Sequence, residues 1–137
     1  MSATQLDVNT VREILQRLAV AVCDVSYYAD IYVSNQSRYK LDQYKTARNL
    51  FYKAAKEFGE TLLRHGADPF AQLGDLCLDA VYAVTDLTHL ASKVFDIALD
   101  QKNQSLLRIA ADMYLEARDA TVFLVKHCDL AEEAGEE

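Results

Sequence analysis

His65-Gly66-Ala67-Asp68-Pro69 stands near the middle of the 137-residue sequence and contains its only proline. Long segments rich in helix-forming residues run on both sides of it. Gly66 suits the position just after a helix, where glycine adopts a left-handed conformation at little cost. Asp68 and Pro69 suit an N-cap and the first position of a new helix, because the missing N–H of proline would have no partner there. The stretch therefore predicts two helices before it and two after it.

The helical spacing of apolar residues supports this division, and no segment shows the alternation of a strand. Asp7 is the expected N-cap of the first helix, and a polar cluster at residues 34–37 ends it. Residues 101–104 separate the third helix from the fourth, with Asn103 or Ser105 as the next N-cap. We expect an all-α domain over residues 1–130: an antiparallel up-down-up-down four-helix bundle of long helices, built from hairpins 7–66 and 68–130. Residues 131–137 are predicted to be a disordered acidic tail.

Apolar residues on the third and fourth helices define their expected buried faces. On the third helix the predicted core positions are Leu73, Leu76, Ala80, Ala83, Leu87, Leu90, Val94 and Ile97. On the fourth they are Leu106, Ala110, Met113, Ala117, Ala120 and Leu124. The fourth helix also has a second apolar set, in which Leu107, Tyr114, Leu115 and Val122 are candidate self-association residues. A helix apolar on much of its circumference favours contact with another subunit, so we expect a homodimer.

Composition restricts the compartment and the partners. Apolar residues make up 51% of the chain, the net charge is −7, and no stretch is long and apolar enough for a membrane span. The first ten residues lack the basic and apolar regions of a signal peptide. Cys23, Cys77 and Cys128 are odd in number and far apart, and we expect all three to be buried and reduced. These features predict a cytoplasmic protein that does not bind membranes.

Charge is divided unequally between the two halves. Residues 1–66 have a net charge of +2 and residues 67–137 one of −9. On the second helix, basic residues and a tyrosine share a flank that is a candidate site for RNA or a phosphorylated partner. These candidate partner-binding residues are Arg38, Lys45, Arg48, Tyr52 and Lys56. The basic surplus is small for a nucleic-acid-binding protein, so an ordinary charged surface is the favoured interpretation and nucleic acid is not the expected partner.

The third helix has a polar stripe on which His89 is a candidate phosphorylation site. The stripe consists of Gln72, Asp75, Asp79, Tyr82, Asp86, His89, Lys93, Asp96 and Asp100. A short segment, from His89 to Lys93, resembles the motif of histidine phosphotransfer domains, which are small acidic four-helix bundles with an exposed mid-helix histidine. The lysine lies four residues after His89 rather than three, and the glycine of that motif is missing. The resemblance implies phosphotransfer through His89, whereas a solvated charged face is the simpler interpretation.

Other patterns of enzymes and metalloproteins are missing. The sequence has no Gly-rich phosphate loop, no Ser/His/Asp or Cys/His grouping, and no histidine pair at metal-ligand spacing. We predict no catalytic residue, no cofactor and no metal site. The expected function is therefore a non-enzymatic protein-interaction or regulatory module that self-associates, with an unidentified protein partner.

Overall fold

The computed structural model describes residues 7–128, apart from the side chains at positions 72, 73 and 75. Four α-helices follow one another: α1 (Val8–Ser34), α2 (Arg38–His65), α3 (Asp75–Gln101) and α4 (Gln104–His127). Over these residues there is no strand, so the all-α prediction is confirmed. The predicted tail at 131–137 lies outside the described residues. None of the four helices has the length and apolarity needed to cross a membrane.

Side-chain caps fix where three of the helices begin. The carboxylate of Asp7 accepts a hydrogen bond from the Thr10 N–H at 2.7 Å, and the Asn103 side chain accepts one from the Leu106 N–H at 3.0 Å. Both caps satisfy a backbone donor that has no partner within its own helix. The predictions for Asp7 and Asn103 are therefore confirmed. Ser37, in the predicted polar cluster, caps α2 in the same way.

The segment that divides the sequence is longer and more structured than expected. Gly66 ends α2 as predicted and has a positive φ of +75°, but its ψ of −172° differs from that of the expected left-handed helical conformation. Asp68 and Pro69 do not begin α3; they begin a short 3-10 helix, Asp68–Leu73, and Gly74 with φ +94° separates it from α3. Phe70 gives the physical reason, because its fully buried ring packs against Phe58 at 5.3 Å and holds the extra turn on the core.

The helices pack as a bundle around one apolar core. The backbones of α1 and α2, of α1 and α4, and of α3 and α4 lie close together. Helices α2 and α3 meet mainly through large side chains: Tyr44 stacks on Phe95 at 4.1 Å, and Arg48 pairs with Asp96 at 2.8 Å. The Tyr44 and Tyr114 hydroxyls, 2.7 Å apart, share a hydrogen bond at the centre of the bundle.

The buried face of α3 is not the predicted one. Of the predicted core positions with described side chains, Leu76, Ala83, Leu90 and Ile97 are exposed, and Ala80, Leu87 and Val94 are half-buried. The buried positions are Leu78, Val81, Val84, Thr85, Thr88, Ala91, Ser92, Phe95 and Ala98. A search for apolar periodicity passes over hydroxyl residues. Thr85 and Thr88 are nevertheless buried, and their hydroxyls donate to carbonyl oxygens one turn earlier in α3, at 2.8 Å. Their polar groups are thereby satisfied inside the core.

The predicted core of α4 is confirmed in part, since Ala110, Ala117 and Leu124 are buried and Leu106 and Met113 are half-buried. Leu107 and Tyr114, expected to contact a second subunit, are fully buried within the monomer. Ala120, expected in the core, is exposed. The cause is the aromatic cluster, because the Tyr114 ring reaches both Phe95 at 6.1 Å and Tyr44 at 5.9 Å and so turns its side of α4 inward. Leu107 and Tyr114 are therefore excluded as self-association residues.

The cysteine prediction is wrong for two of the three residues. Cys77 and Cys128 form a disulfide, with their Cα atoms 6.0 Å apart, and only Cys23 is a free thiol. The bonded pair is 51 residues apart in sequence, with Cys77 in α3 and Cys128 directly after α4. Such a pairing depends on the packing of α3 against α4, which spacing in the sequence does not reveal.

Candidate interaction surfaces

An exposed apolar strip runs along the α3–α4 side of the bundle, and we call it the apolar seam. Its members are Leu76, Ala83, Leu90 and Ile97 of α3 with Ile109, Ala120 and Phe123 of α4. The large side chains are 84% (Leu76), 52% (Leu90), 49% (Ile97), 53% (Ile109) and 63% (Phe123) exposed. An apolar strip of this kind is typical of a surface that another molecule covers.

Neighbouring contacts establish which side of each helix the seam occupies. On α3, His89 and Asp96 contact α2, and Leu90 and Ile97 follow them by one residue, or about 100° around the helix. On α4, Arg108 pairs with Asp30 of α1 at 2.9 Å, and Ile109 comes next. The seam thus faces away from α2 on α3 and away from α1 on α4. The other neighbour of α3 is α4, and the other neighbour of α4 is α3. Both halves of the seam therefore border the groove between α3 and α4.

The seam follows a heptad pattern. On α3, Leu76, Ala83, Leu90 and Ile97 alternate with Ala80, Leu87 and Val94, which are half-buried and pack against the core. On α4, Leu106, Ile109, Met113, Ala120 and Phe123 follow the same alternating spacing of three and four. Glu116 is the polar residue in the middle of the α4 series, and His127, whose ring stacks on Phe123 at 3.9 Å, ends it. Apolar residues at this spacing are the pattern by which helices pack against other helices.

Acidic side chains border the seam. Asp79, Asp86 and Asp100 are exposed along the outer side of α3, and Lys93 is the one basic residue among them. On α4, Asp112 pairs with Arg108 and Asp119 with Arg118, whereas Glu116 has no ion pair within residues 7–128. The rim of the seam is therefore negatively charged.

The predicted basic flank of α2 does not form one surface. Arg48 and Tyr52 turn toward α3: Arg48 pairs with Asp96 at 2.8 Å and lies 5.9 Å from the Tyr52 ring, and the Tyr52 hydroxyl bonds to Ser92. These two residues hold α2 and α3 together. The other three residues, Arg38, Lys45 and Lys56, are exposed and have no ion pair with the residues that the structure describes.

His89 is half-buried rather than fully solvated. Its ring stacks on Tyr52 at 5.7 Å and meets the Phe51 ring edge-on at 4.9 Å. Burial lowers the pKa of its imidazole below the ordinary value of 6.5; Asp86 opposes this shift and Lys93 adds to it. The ring is therefore neutral at pH 7 and forms part of the α2–α3 contact.

A groove of about 910 Å³ lies between α1 and α2 on the opposite side of the molecule. Val20, Ala21, Leu50 and Ala54 contribute its apolar surface. The Arg17 guanidinium bridges the two helices by two hydrogen bonds to Glu57, at 2.8 and 3.1 Å. The other charged lining residues, Glu13, Asp24, Lys53, Lys56 and Glu60, have both signs, so the groove has no clear charge preference.

The two remaining candidate self-association residues lie away from the seam. Leu115 is half-buried and Val122 is exposed. Both share the side of α4 on which Arg108 pairs with α1, because they lie seven and fourteen residues after Arg108. The structure thus separates the four predicted residues into a core pair and a pair beside α1.

Within residues 7–128, no group of three or more His, Cys, Asp or Glu side chains has the arrangement of a metal site. No family model, curated protein sequence or solved structure matches this chain. The surfaces of the molecule are therefore the guide to its function. The α3 members of the seam and Ala120 were predicted as core residues, whereas Ile109 and Phe123 were not predicted at all. The regular spacing of apolar residues on α3 was the available signal that this helix has a second apolar face.

Proposed function

We propose that this protein is a non-enzymatic, helical-bundle protein-interaction module that self-associates. The apolar seam is the single observation that carries the proposal. Its large aliphatic and aromatic side chains are exposed on one side of the monomer, whereas the inner face of α3 includes the hydroxyl residues Thr85, Thr88 and Ser92 beside its apolar ones. Removing such a surface from water is favourable by roughly 25 cal/mol per Å² of apolar area, so association through it is expected.

The proposal includes an antiparallel up-down-up-down arrangement, and cross-helix contacts support it. Between α2 and α3, an early residue of one contacts a late residue of the other: Tyr44 lies against Phe95, and Phe58 against Tyr82. Between α3 and α4, Cys77 joins Cys128. In that arrangement both halves of the seam run along the full length of the α3–α4 groove.

Introducing a negative charge into the seam tests the interaction function. Leu90→Glu and Ile109→Glu place a carboxylate in the seam, whereas Leu63→Glu does so at an exposed leucine of α2 outside it. Crosslinking in native extract is expected to give specific adducts, with copies of this chain or with another protein, for wild type and Leu63→Glu. Leu90→Glu and Ile109→Glu should lose those adducts. If all four proteins give the same adducts, or none do, the proposal is wrong.

Phosphotransfer through His89 is the first alternative. A neutral imidazole is the form that attacks a phosphoryl group, and the lowered pKa of His89 favours it. The packing of the ring against Phe51 and Tyr52 opposes it, because a receiver domain needs open access to the nitrogen. Incubation with acetyl phosphate and with receiver domains should label wild type but not His89→Gln. No acid-labile phosphate on wild type would remove this alternative.

Binding of RNA or a phosphorylated partner by the basic residues of α2 is the second alternative. Only Arg38, Lys45 and Lys56 are exposed for it, since Arg48 and Tyr52 are engaged with α3. Salt-sensitive binding of RNA or a phosphopeptide, weakened by Lys45→Glu with Lys56→Glu, would support this function. A flat titration at low salt would contradict it.

The compartment is a separate part of the proposal. The sequence favours the cytoplasm, whereas the Cys77–Cys128 disulfide favours an oxidising environment, because such bonds are rare in reducing compartments. Thiol alkylation in intact cells distinguishes the two. Alkylation of all three cysteines supports the cytoplasm, and alkylation of Cys23 alone contradicts it.

A further inference from the structure

We infer that the apolar seam is covered by the same seam of a second copy, related by a two-fold axis. This inference rests on the proposed function and specifies its partner. The two helices that carry the seam would pack against the identical pair of the second copy and form an intermolecular layer of four helices. The second copy would then bury every seam residue, and no other protein would be needed to cover the seam.

The area of the seam matches what a stable dimer requires. From Leu76 to Ile97 the α3 half is 21 residues long, which corresponds to about 32 Å at 1.5 Å per residue. Two packed helices present a face roughly 20 Å wide, since their axes lie about 8–10 Å apart. The seam therefore offers on the order of 600 Å² per copy. Two copies reach the lower limit of specific interfaces, about 1,200 Å² in total.

Among residues 7–128, the α1–α2 side is more mixed in polarity than the seam, which favours a closed dimer through the seam over an open assembly. On the outer side of α1 and α2, exposed apolar residues such as Val20 and Leu50 are interspersed with charged and polar ones: Arg17, Asp24, Gln43 and Lys53. A two-fold contact uses the same patch on both copies and is then complete. A contact between two different patches would continue into a filament and would need a second apolar face.

Contact pairs within the monomer show how the seam is organised along its length. Cys77 bonds to Cys128, and Phe95 lies 6.1 Å from Tyr114. In the antiparallel arrangement these pairs place Ile97 near the level of Ile109, and Ala83 near that of Phe123. Glu116 then lies near the middle of the α4 half, opposite Leu90. A single polar residue at such a position is a known way of selecting register at some cost in affinity.

The charged rim predicts the effect of salt. Two seams that face each other bring their acidic borders together, including Asp86 and Glu116 of each copy. Exposed like charges repel weakly, and salt screens them with a Debye length of about 10 Å at 0.1 M. The dimer should therefore become tighter as salt is added. A basic amphipathic helix in the same seam would behave in the opposite way, because salt would screen an attraction.

Sedimentation equilibrium of the purified, disulfide-bonded chain tests the inference. Wild type and the matched control Leu63→Glu are expected to dimerise, with a Kd that falls severalfold between about 0.05 and 0.5 M NaCl. Leu90→Glu and Ile109→Glu should each weaken the dimer by about 100-fold or more, because every substitution enters the interface twice. Both residues are exposed in the monomer, so circular dichroism should show unchanged helix content.

Three results would overturn the inference: a monomer at every concentration, a dimer that Leu90→Glu leaves intact, or a dimer that weakens as salt is added. A synthetic Leu/Lys amphipathic helix, titrated into the chain at low salt, separates this failure from that of the proposed function. If wild type is monomeric and binds the peptide, and Leu90→Glu does not, the interaction function stands and the second copy is wrong. If wild type neither dimerises nor binds the peptide, both fail.

Discussion

The disulfide between Cys77 and Cys128 joins the first turn of α3 to the residue that follows α4. These are the two helices that carry the apolar seam. The bond closes a segment with a sequence separation of 51 residues, which includes nearly all of α3 and α4. It therefore holds the start of α3 and the end of α4 together and makes the segment between the two cysteines a single covalent loop.

Loss of this bond is expected to destabilise the fold. Loop-closure entropy for a segment of this length corresponds to about 4 kcal/mol, and measured effects of native disulfides are commonly about 2–5 kcal/mol. We predict that Cys77→Ser with Cys128→Ser lowers the free energy of unfolding by an amount in that range, measured by urea denaturation. Cys23→Ser is the control, since that thiol is free, and it should have little effect. Equal stability of all three proteins would contradict the role of the bond.

The hydroxyl pair of Tyr44 and Tyr114 predicts an unequal response to two similar substitutions. Burial is the main reason that the pKa of each hydroxyl lies above its ordinary value of 10, so both remain protonated. Ser92 is a second polar neighbour that lowers the pKa of Tyr114, whereas the Tyr44 hydroxyl pairs with the Tyr114 hydroxyl. Tyr114→Phe should cost about 1–3 kcal/mol of stability, because it leaves a buried hydroxyl without a partner. Tyr44→Phe should cost less.

The double variant with both substitutions completes this cycle. It removes both polar groups, and we expect it to be no less stable than Tyr114→Phe alone. Thermal or urea unfolding measures all four proteins. Additive losses for the two substitutions would show that the hydroxyls act independently.

His89 predicts a specific dependence of stability on pH. Its folded pKa lies below the ordinary value of 6.5 because burial disfavours the charged ring. The unfolded chain therefore takes up the proton first as pH falls. The contribution of His89 to stability is complete above about pH 6.5 and is lost as pH falls from there through the folded pKa. His89→Gln should remove this part of the pH profile, and an NMR titration should place the pKa of His89 below 6.5.

Replacing Glu116 by an apolar residue is expected to strengthen dimerisation. It is the polar residue within the α4 half of the seam, and in the two-fold dimer it lies near the same residue of the second copy. Glu116→Leu should tighten the dimer by about tenfold or more, because it removes a charge and adds apolar area. Glu60→Leu, an exposed glutamate in the α1–α2 groove, is the control and should leave the Kd unchanged. An unchanged or weaker dimer for Glu116→Leu would place Glu116 outside the interface.

Local chemistry made much of the fold predictable. Asp7, Asn103 and Gly66 act where the sequence placed them, because capping depends on residues close in sequence. The start of α3 was not predictable in the same way, since the extra turn at Asp68–Leu73 depends on the burial of Phe70 against Phe58. The disulfide likewise depends on the packing of distant segments.

The choice between the two faces of α3 was the main error. Leu76, Leu90 and Ile97 form a more apolar stripe than the one that is buried, and periodicity selects the more apolar stripe. The inner face follows instead from Phe95, which fits between Tyr44 and Tyr114, and from hydroxyls that bond within their own helix. The more apolar stripe of α3 is therefore a face that the monomer leaves exposed.

Solvent accessibility of the seam methyl groups in solution shows whether a second copy covers the seam. A soluble paramagnetic probe is added to methyl-labelled protein, and the relaxation of Leu90, Ile97 and Ile109 is compared with that of Leu63 and Val20, which are exposed outside the seam. At concentrations well above the Kd, the account predicts that the three seam methyls are protected while Leu63 and Val20 are strongly relaxed. In Glu-substituted, monomeric protein the remaining seam methyls should be relaxed as well. Equal relaxation of seam and control methyls in the wild-type protein would contradict the account.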